Sequence, residues 1–209
     1  MARKVLIYLA AIVFALNNFP MSAQAESDAT SKLTIKELIV KHSMEMGLDP
    51  ALALSIAKTE SGFSHNKKSP GGAVGVFQLM PSTAKKLGYN PYTVQDNIKG
   101  GIAYYKMMYK MFGSTELALA AYNAGPGNVK KYNGIPPFGE TRRFVASIMN
   151  NYNNLKSNPD PAVVQYKESV KPINNTTPAE PAVEEYDPEE DFRMQQEAII
   201  ESFLAGQGI

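Results

Sequence analysis

The sequence predicts a mainly α-helical protein: a single compact helical domain with at most a short β-hairpin. Three observations carry that expectation. Apolar residues recur at helical spacing in segments closed by glycines and prolines. One segment, residues 51–60, is apolar around most of its circumference and must therefore be buried. The glycine-rich stretch at 61–80 reads as a loop with room for one short hairpin, near Ala73–Gln78.

The elements follow in order. Arg3 and Lys4, the uncharged apolar run Val5–Leu16 and the small-x-small triplet Ala23-Gln24-Ala25 together predict a secretory signal peptide, residues 1–25. The apolar run is about a dozen residues, short of the roughly 20 that a spanning helix needs. Thr34 and Glu37 have capping-box spacing, and Ile35, Leu38 and Ile39 then share a helical face that ends at Gly47. Asp49-Pro50 opens the buried helix, with Asp as N-cap and Pro in the first turn. After the loop, Pro81-Ser82 starts a helix that Gly88 stops. A helix over Asn97–Phe112 carries Ile98, Ile102, Tyr105, Met108 and Met111, the methionines serving as core filler. Ser114 caps a helix from Glu116 to Ala124, Gly125-Pro126-Gly127 breaks it, and Thr141–Tyr152 is the last core helix.

Composition changes after Lys156. Residues 157–188 hold prolines at 159, 161, 172, 178, 181 and 188 and few large apolar groups, so they read as a linker. Residues 189–205 form a candidate amphipathic helix with Phe192, Ile199, Ile200, Phe203 and Leu204 on one face and Glu189, Glu190, Glu197 and Glu201 supplying charge. The expected organisation is a leader (1–25), one domain (26–156) and a tail (157–209).

Of the 209 residues, 44% are hydrophobic, enough for a packed core, and the formal net charge of +1 gives no global electrostatic case for nucleic acid. The absence of cysteine excludes disulfides, thiol catalysis and thiolate metal sites. His42 and His65 lie far apart, and no acidic cluster has the spacing of a calcium loop, so no metal or cofactor is expected.

Three segments can carry chemistry. The buried helix ends in Lys58-Thr59-Glu60-Ser61-Gly62. Apolar surroundings, and the negative end of the helix dipole after them, raise the pKa of Glu60, which makes it usable as a general acid. Taken alone, this segment favours a Glu60 that turns outward into water and pairs with Lys58 or Lys67. The second segment, Gly71 to Pro81, sets the amide of Gln78 in a glycine-rich apolar loop. Such an amide suits sugar hydroxyls and acetamido groups, although a turn with a capping Gln also fits. The third, Ala120 to Gly127, offers Tyr122 and Asn123 at a helix end, or a core tyrosine and a capping asparagine.

In this order and spacing, Glu60-Ser61, Gly75-Val76-Phe77-Gln78-Leu79-Met80-Pro81 and Ala121-Tyr122-Asn123-Ala124-Gly125 resemble the soluble lytic transglycosylases of the goose-type lysozyme-like fold. The resemblance covers about residues 35–155 and implies a mainly α, lysozyme-like α+β domain with a substrate cleft. It implies that Glu60 is the single catalytic acid/base and that Ser69, Gln78, Met80, Tyr122 and Asn123 line the glycan cleft, with Ser61 holding the turn after the helix. Glu140-Thr141-Arg142-Arg143-Phe144-Val145 resembles a family segment that usually has tyrosine where Phe144 stands, its hydroxyl near the catalytic Glu. Phe144 keeps the ring in the cleft and loses that hydrogen bond, leaving Tyr132 or Tyr122 as candidates to supply the hydroxyl.

The implied activity is non-hydrolytic cleavage of the MurNAc-GlcNAc β-1,4 bond of peptidoglycan, giving 1,6-anhydro-MurNAc ends. Two alternatives stand beside it. A hydrolytic muramidase would need a second acid, for which Glu140 and Asp96 are the nearest candidates, neither in a segment that suggests a cleft. A non-catalytic peptidoglycan-binding or scaffold protein of an envelope-spanning machine would not cut at all. The leader places the protein in the periplasm or cell envelope, with glycan strands as partner. A secretion, conjugation or pilus apparatus could engage the tail, while an acidic polar face disfavours anionic lipid.

Overall fold

Proline, aspartate and glycine punctuate the chain, and several of the folded helices begin or end on them. The computed structural model describes residues 23–171, with side chains from Ser31 onward, together with Met194, Glu197, Ala198, Ile200, Glu201, Ser202 and Ala205. The expected leader therefore lies outside the described residues except for its last three, which are helical. The chain up to Thr34 forms one unit and the body from Ile35 another. Helix α1 (Ala23–Glu45) runs through that boundary. Within the body it buries Ile35, Ile39 and Val40.

Helix α2 (Pro50–Ser61) is the buried helix expected from its composition. Asp49 accepts a hydrogen bond from the Ala51 amide at 2.9 Å, Pro50 occupies the first turn, and Gly62 closes the helix with a left-handed φ of 64°. Every residue from Ala51 to Ala57 is buried. Burying Leu52, Leu54 and Ile56 contributes on the order of 2 kcal/mol each. This face packs on α7 (Gly139–Ser157).

The loop after α2 forms no strand, only two antiparallel bridges, Lys68 with Val74 and Val74 with Leu79. They stand where the short hairpin was expected, and two hydrogen bonds of 3.0 and 3.1 Å join Val74 and Leu79. Helices α3 (Pro81–Lys86), α4 (Val94–Phe112), α5 (Thr115–Ala124) and α6 (Pro126–Tyr132) follow, and α5 packs against α4, α6 and α7. Helix α4 begins three residues earlier than the sequence suggested, because Thr93 caps it by accepting from the Asp96 amide. Met108 fills the core as expected, Met111 is only partly buried against it, and Met107, which the pattern did not single out, is fully buried.

Two helices were not foreseen. Gly125-Pro126-Gly127 does break α5, but Gly125 (φ 85°) turns the chain and Pro126 then starts α6. The linker composition likewise hid α8 (Pro161–Ser169), whose N-cap Asp160 accepts from the Ala162 amide at 3.1 Å and pairs with Lys36 at 2.8 Å. Ala162 and Val163 are buried in the core, so the packed body runs past Lys156 and folds the first part of the expected linker. In the tail, Ile200 is also buried, while Phe192, Ile199, Phe203 and Leu204 lie outside the described residues. No helix of the described residues is long and apolar enough to cross a membrane.

Candidate active site

Glu60 sits in the last turn of α2, partly buried, on the wall of a cleft of about 390 Å³. The cleft is lined by the loop (Ser69, Gln78, Met80), the end of α5 (Tyr122, Asn123), Tyr104 of α4 and Glu140 of α7. Of the residues expected here, Glu60, Ser69, Gln78, Met80, Tyr122 and Asn123 thus come together from segments far apart in the chain.

Burial pushes the Glu60 carboxyl up to about 8; Lys67 opposes the rise and the Glu140 carboxylate adds to it. The outward-facing alternative does not occur. Lys58 donates to the Asn151 side chain at 3.1 Å, and Lys67 donates to the main-chain carbonyl of Glu60 at 2.6 Å. Ser61 ties the helix end to the loop. Its hydroxyl donates to the Val76 carbonyl at 2.7 Å, and its oxygen accepts from the Ser64 amide at 3.1 Å.

The loop is held from below by a residue the sequence reading passed over. Asn97 of α4 is wholly buried. Its Oδ1 accepts from the Phe77 amide at 2.9 Å, and its Nδ2 donates to the carbonyls of Val74 (2.8 Å) and Pro91 (3.0 Å). Gly75 permits this contact, since a Cβ there would stand 2.3 Å from the Asn97 amide nitrogen and its φ is 80°. Gly101 lies under Phe77 in the same way, with a virtual Cβ only 2.4 Å from the Phe77 side chain. The Asn-x-x-Gly-Gly run at 97–101 was the available signal, visible as a helix carrying glycines in its interior where they cost stability.

These anchors decide which atoms face the cleft. Gln78 has a positive φ of 45°, and its Nε2 donates to the carbonyls of Lys67 (3.0 Å) and Gly75 (2.9 Å), leaving Oε1 as its acceptor for a ligand. Ser69 Oγ accepts from the Ala73 amide at 3.0 Å, so its hydroxyl hydrogen is the group to offer. Asn123 is complementary: Thr141 donates to its Oδ1 at 2.8 Å, which turns Nδ2 into the free donor. Met80 is an exposed apolar rim.

Phe144 corrects the expectation. It does not line the cleft but lies buried behind Tyr122, the rings stacked 13° from parallel with centroids 6.4 Å apart. Tyr122 spends its hydroxyl on the Phe77 carbonyl at 2.8 Å, and Tyr132 is an exposed residue packed edge-on against Phe138. The tyrosine the sequence reading missed is Tyr104, whose ring packs 5.0 Å from Tyr122 inside the cleft. Glu140 also lines the cleft, contrary to the reading of its segment, whereas Asp96 lies in the first turn of α4 and accepts from the Asn90 amide at 3.1 Å. His42 pairs with Glu45 and His65 with the Tyr92 carbonyl, both away from the cleft lining.

A mainly helical domain whose cleft closes on one partly buried glutamic acid, among amides and aromatic rings, is of the lysozyme-like class. Residues 37–145 match the Transglycosylase SLT domain family, and the chain belongs to it. It is 31% identical over 142 residues to the soluble lytic murein transglycosylase of Salmonella typhimurium, which covers 56% of this chain and 22% of that protein. It is 35% identical over 129 residues to the transglycosylase of Enterobacteria phage PRD1, covering 61% of this chain and 46% of that protein. Among solved structures, the lytic transglycosylase Slt of Pseudomonas aeruginosa superposes with a TM-score of 0.53 at 29% identity, over 69% of this chain and 26% of that one. The chain thus spans between about a fifth and a half of the length of these relatives.

Proposed function

We propose that this protein cuts the glycan strands of peptidoglycan at the MurNAc-GlcNAc β-1,4 bond without water. The observation that carries the reading is Glu60, a carboxyl whose proton is held to about pH 8 at the wall of a cleft lined with polar and aromatic groups. Glu60 gives that proton to the glycosidic oxygen as the bond from C1 breaks, and the electron pair leaves with the GlcNAc hydroxyl. The acetamido oxygen of the substrate shields the cationic C1. Glu60, now a carboxylate, takes the proton of the C6 hydroxyl, whose oxygen closes on C1. One bond breaks, one forms, and Glu60 is protonated again. An internal nucleophile held in place replaces a bimolecular step by a unimolecular one. The free Nδ2 of Asn123 and Oε1 of Gln78 supply a donor and an acceptor for the acetamido groups and hydroxyls.

Glu140 supports a second reading, hydrolysis, because it places a second carboxylate on the same cleft. A water activated there would add its mass to the product. Mass spectrometry of muropeptides released by the purified protein decides. Anhydro ends support the transglycosylase, products heavier by one water support the muramidase, and walls left intact by wild type and Glu60→Gln alike support a binding protein. The family and the leader favour action in the cell envelope outside the cytoplasmic membrane, and the tail is the segment to engage a wall-piercing machine.

A further inference from the structure

The C-terminal tail carries an inference of its own. On the body lies a groove of about 660 Å³, lined by Leu48 and Leu52 and by Tyr105, Lys106, Tyr109 and Lys110 of α4, with Glu197 and Ile200 of the tail. It shares no lining residue with the cleft. Ile200 is only 5% exposed in it, whereas Met194, Glu197, Ala198 and Glu201 are exposed. Beside it Lys110 pairs with Glu201. Among the described residues the hold is one apolar side chain and one exposed ion pair, on a segment that, as a short helix, is marginal in water by itself. Between Lys171 and Met194 run 22 residues, which fully extended reach on the order of 75 Å, so the tether permits both docking and departure.

We propose that this groove is a receptor site for an acidic amphipathic helix, and that the chain's own segment around Ile200 occupies it as a reversible latch. The complementarity is specific in kind. Lys106 and Lys110 edge an apolar floor of leucine and tyrosine, and the tail presents an isoleucine flanked by Glu197 and Glu201.

The test uses the whole chain carrying Ile200→Asp, which frees the groove, and a fluorescein-labelled peptide of residues 189–209 followed by anisotropy. Saturable binding is expected, weakened on the order of tenfold or more when the peptide itself carries Ile200→Asp, and similarly weakened toward the intact chain, whose own Ile200 already lies against the groove. Lys110→Glu should weaken the peptide and Glu201→Lys in the peptide should restore it. Both positions are solvent-exposed, so this exchange does not depend on a variant that damages the core. Equal binding of native and Ile200→Asp peptides, no saturable binding, or no rescue by charge exchange overturns the proposal. So does a concentration-dependent dimer, seen by sedimentation and abolished by Ile200→Asp, because the tail would then be traded between copies.

Discussion

Glu60→Gln should make the protein more stable at neutral pH while removing the proposed cleavage. A carboxyl held to about 8, against an ordinary 4.5, keeps its proton in the folded chain where the unfolded chain has released it. Below about pH 4.5 both states are protonated and Glu60 has no effect on stability. As pH rises toward 8 the unfolded state gains from ionisation, and stability falls through that window. From 4.5 to 7 the loss is roughly 3 kcal/mol at about 1.4 kcal/mol per pH unit. Water in the open cleft screens part of it, leaving roughly 2 kcal/mol. Glutamine is nearly isosteric and does not titrate, so the variant escapes the loss. For a protein of this size, about 2–4 °C per kcal/mol gives a melting temperature higher by roughly 4–8 °C at pH 7. Near pH 4 the two proteins should melt together. The assay is thermal unfolding followed by circular dichroism from pH 4 to pH 8. A constant offset between wild type and variant across that range would refute the argument, since it would mean Glu60 ionises in the fold as it does out of it.

Other outcomes follow from the same geometry. Cleavage of purified peptidoglycan should decline above about pH 8, approaching tenfold per pH unit, as Glu60 loses its proton; a flat turbidity profile to pH 10 would exclude it as the acid. Thr141→Val frees the Asn123 amide to rotate and should lower kcat/KM by ~2- to 10-fold with little change in melting temperature, measured by muropeptide release. Gln78→Ala should cost both activity and loop order, because Gln78 Nε2 holds two main-chain carbonyls, and hydrogen exchange at residues 67–79 reads the second effect. Gly101→Ala should destabilise by ~1–3 kcal/mol in urea unfolding, since the added methyl meets Phe77.

Much of the fold was legible because its signals are local. Asp49-Pro50 and Gly62 bracket α2 in sequence as they do in space, and an all-apolar run has nowhere to go but the core. The same signal was present at Asp160-Pro161 and was overridden by the surrounding prolines, although Asp160 caps α8 just as Asp49 caps α2. Glu60, Gln78, Met80, Tyr122 and Asn123 of the cleft lining were found through three motifs, each a contiguous run. What escaped notice was non-local. Asn97 stabilises a loop some twenty residues earlier in the chain, Thr141 orients Asn123 across eighteen, and Tyr104 lines the cleft from α4, beside residues distant from it in sequence. Phe144 was misplaced for a related reason. Which side of Tyr122 a ring occupies depends on how α5 and α7 pack, and no run of residues encodes that packing.

The buried Asn97 clamp has a consequence for how the protein would meet the long, stiff strand proposed as its substrate. Its hydrogen bonds fix the Val74–Phe77 backbone to α4 when the chain folds, and Gln78, next in line, is pinned at both of its amide hydrogens. The conformational entropy of that wall is therefore surrendered during folding and not at each encounter. A strand entering such a cleft orders little protein, so its affinity is set by its own loss of freedom and by the water it displaces. Backbone atoms of residues 74–79 should then coincide within about 1 Å in empty and occupied forms. Selectivity would come from pre-organisation, as a fixed template that admits strands already of the right shape.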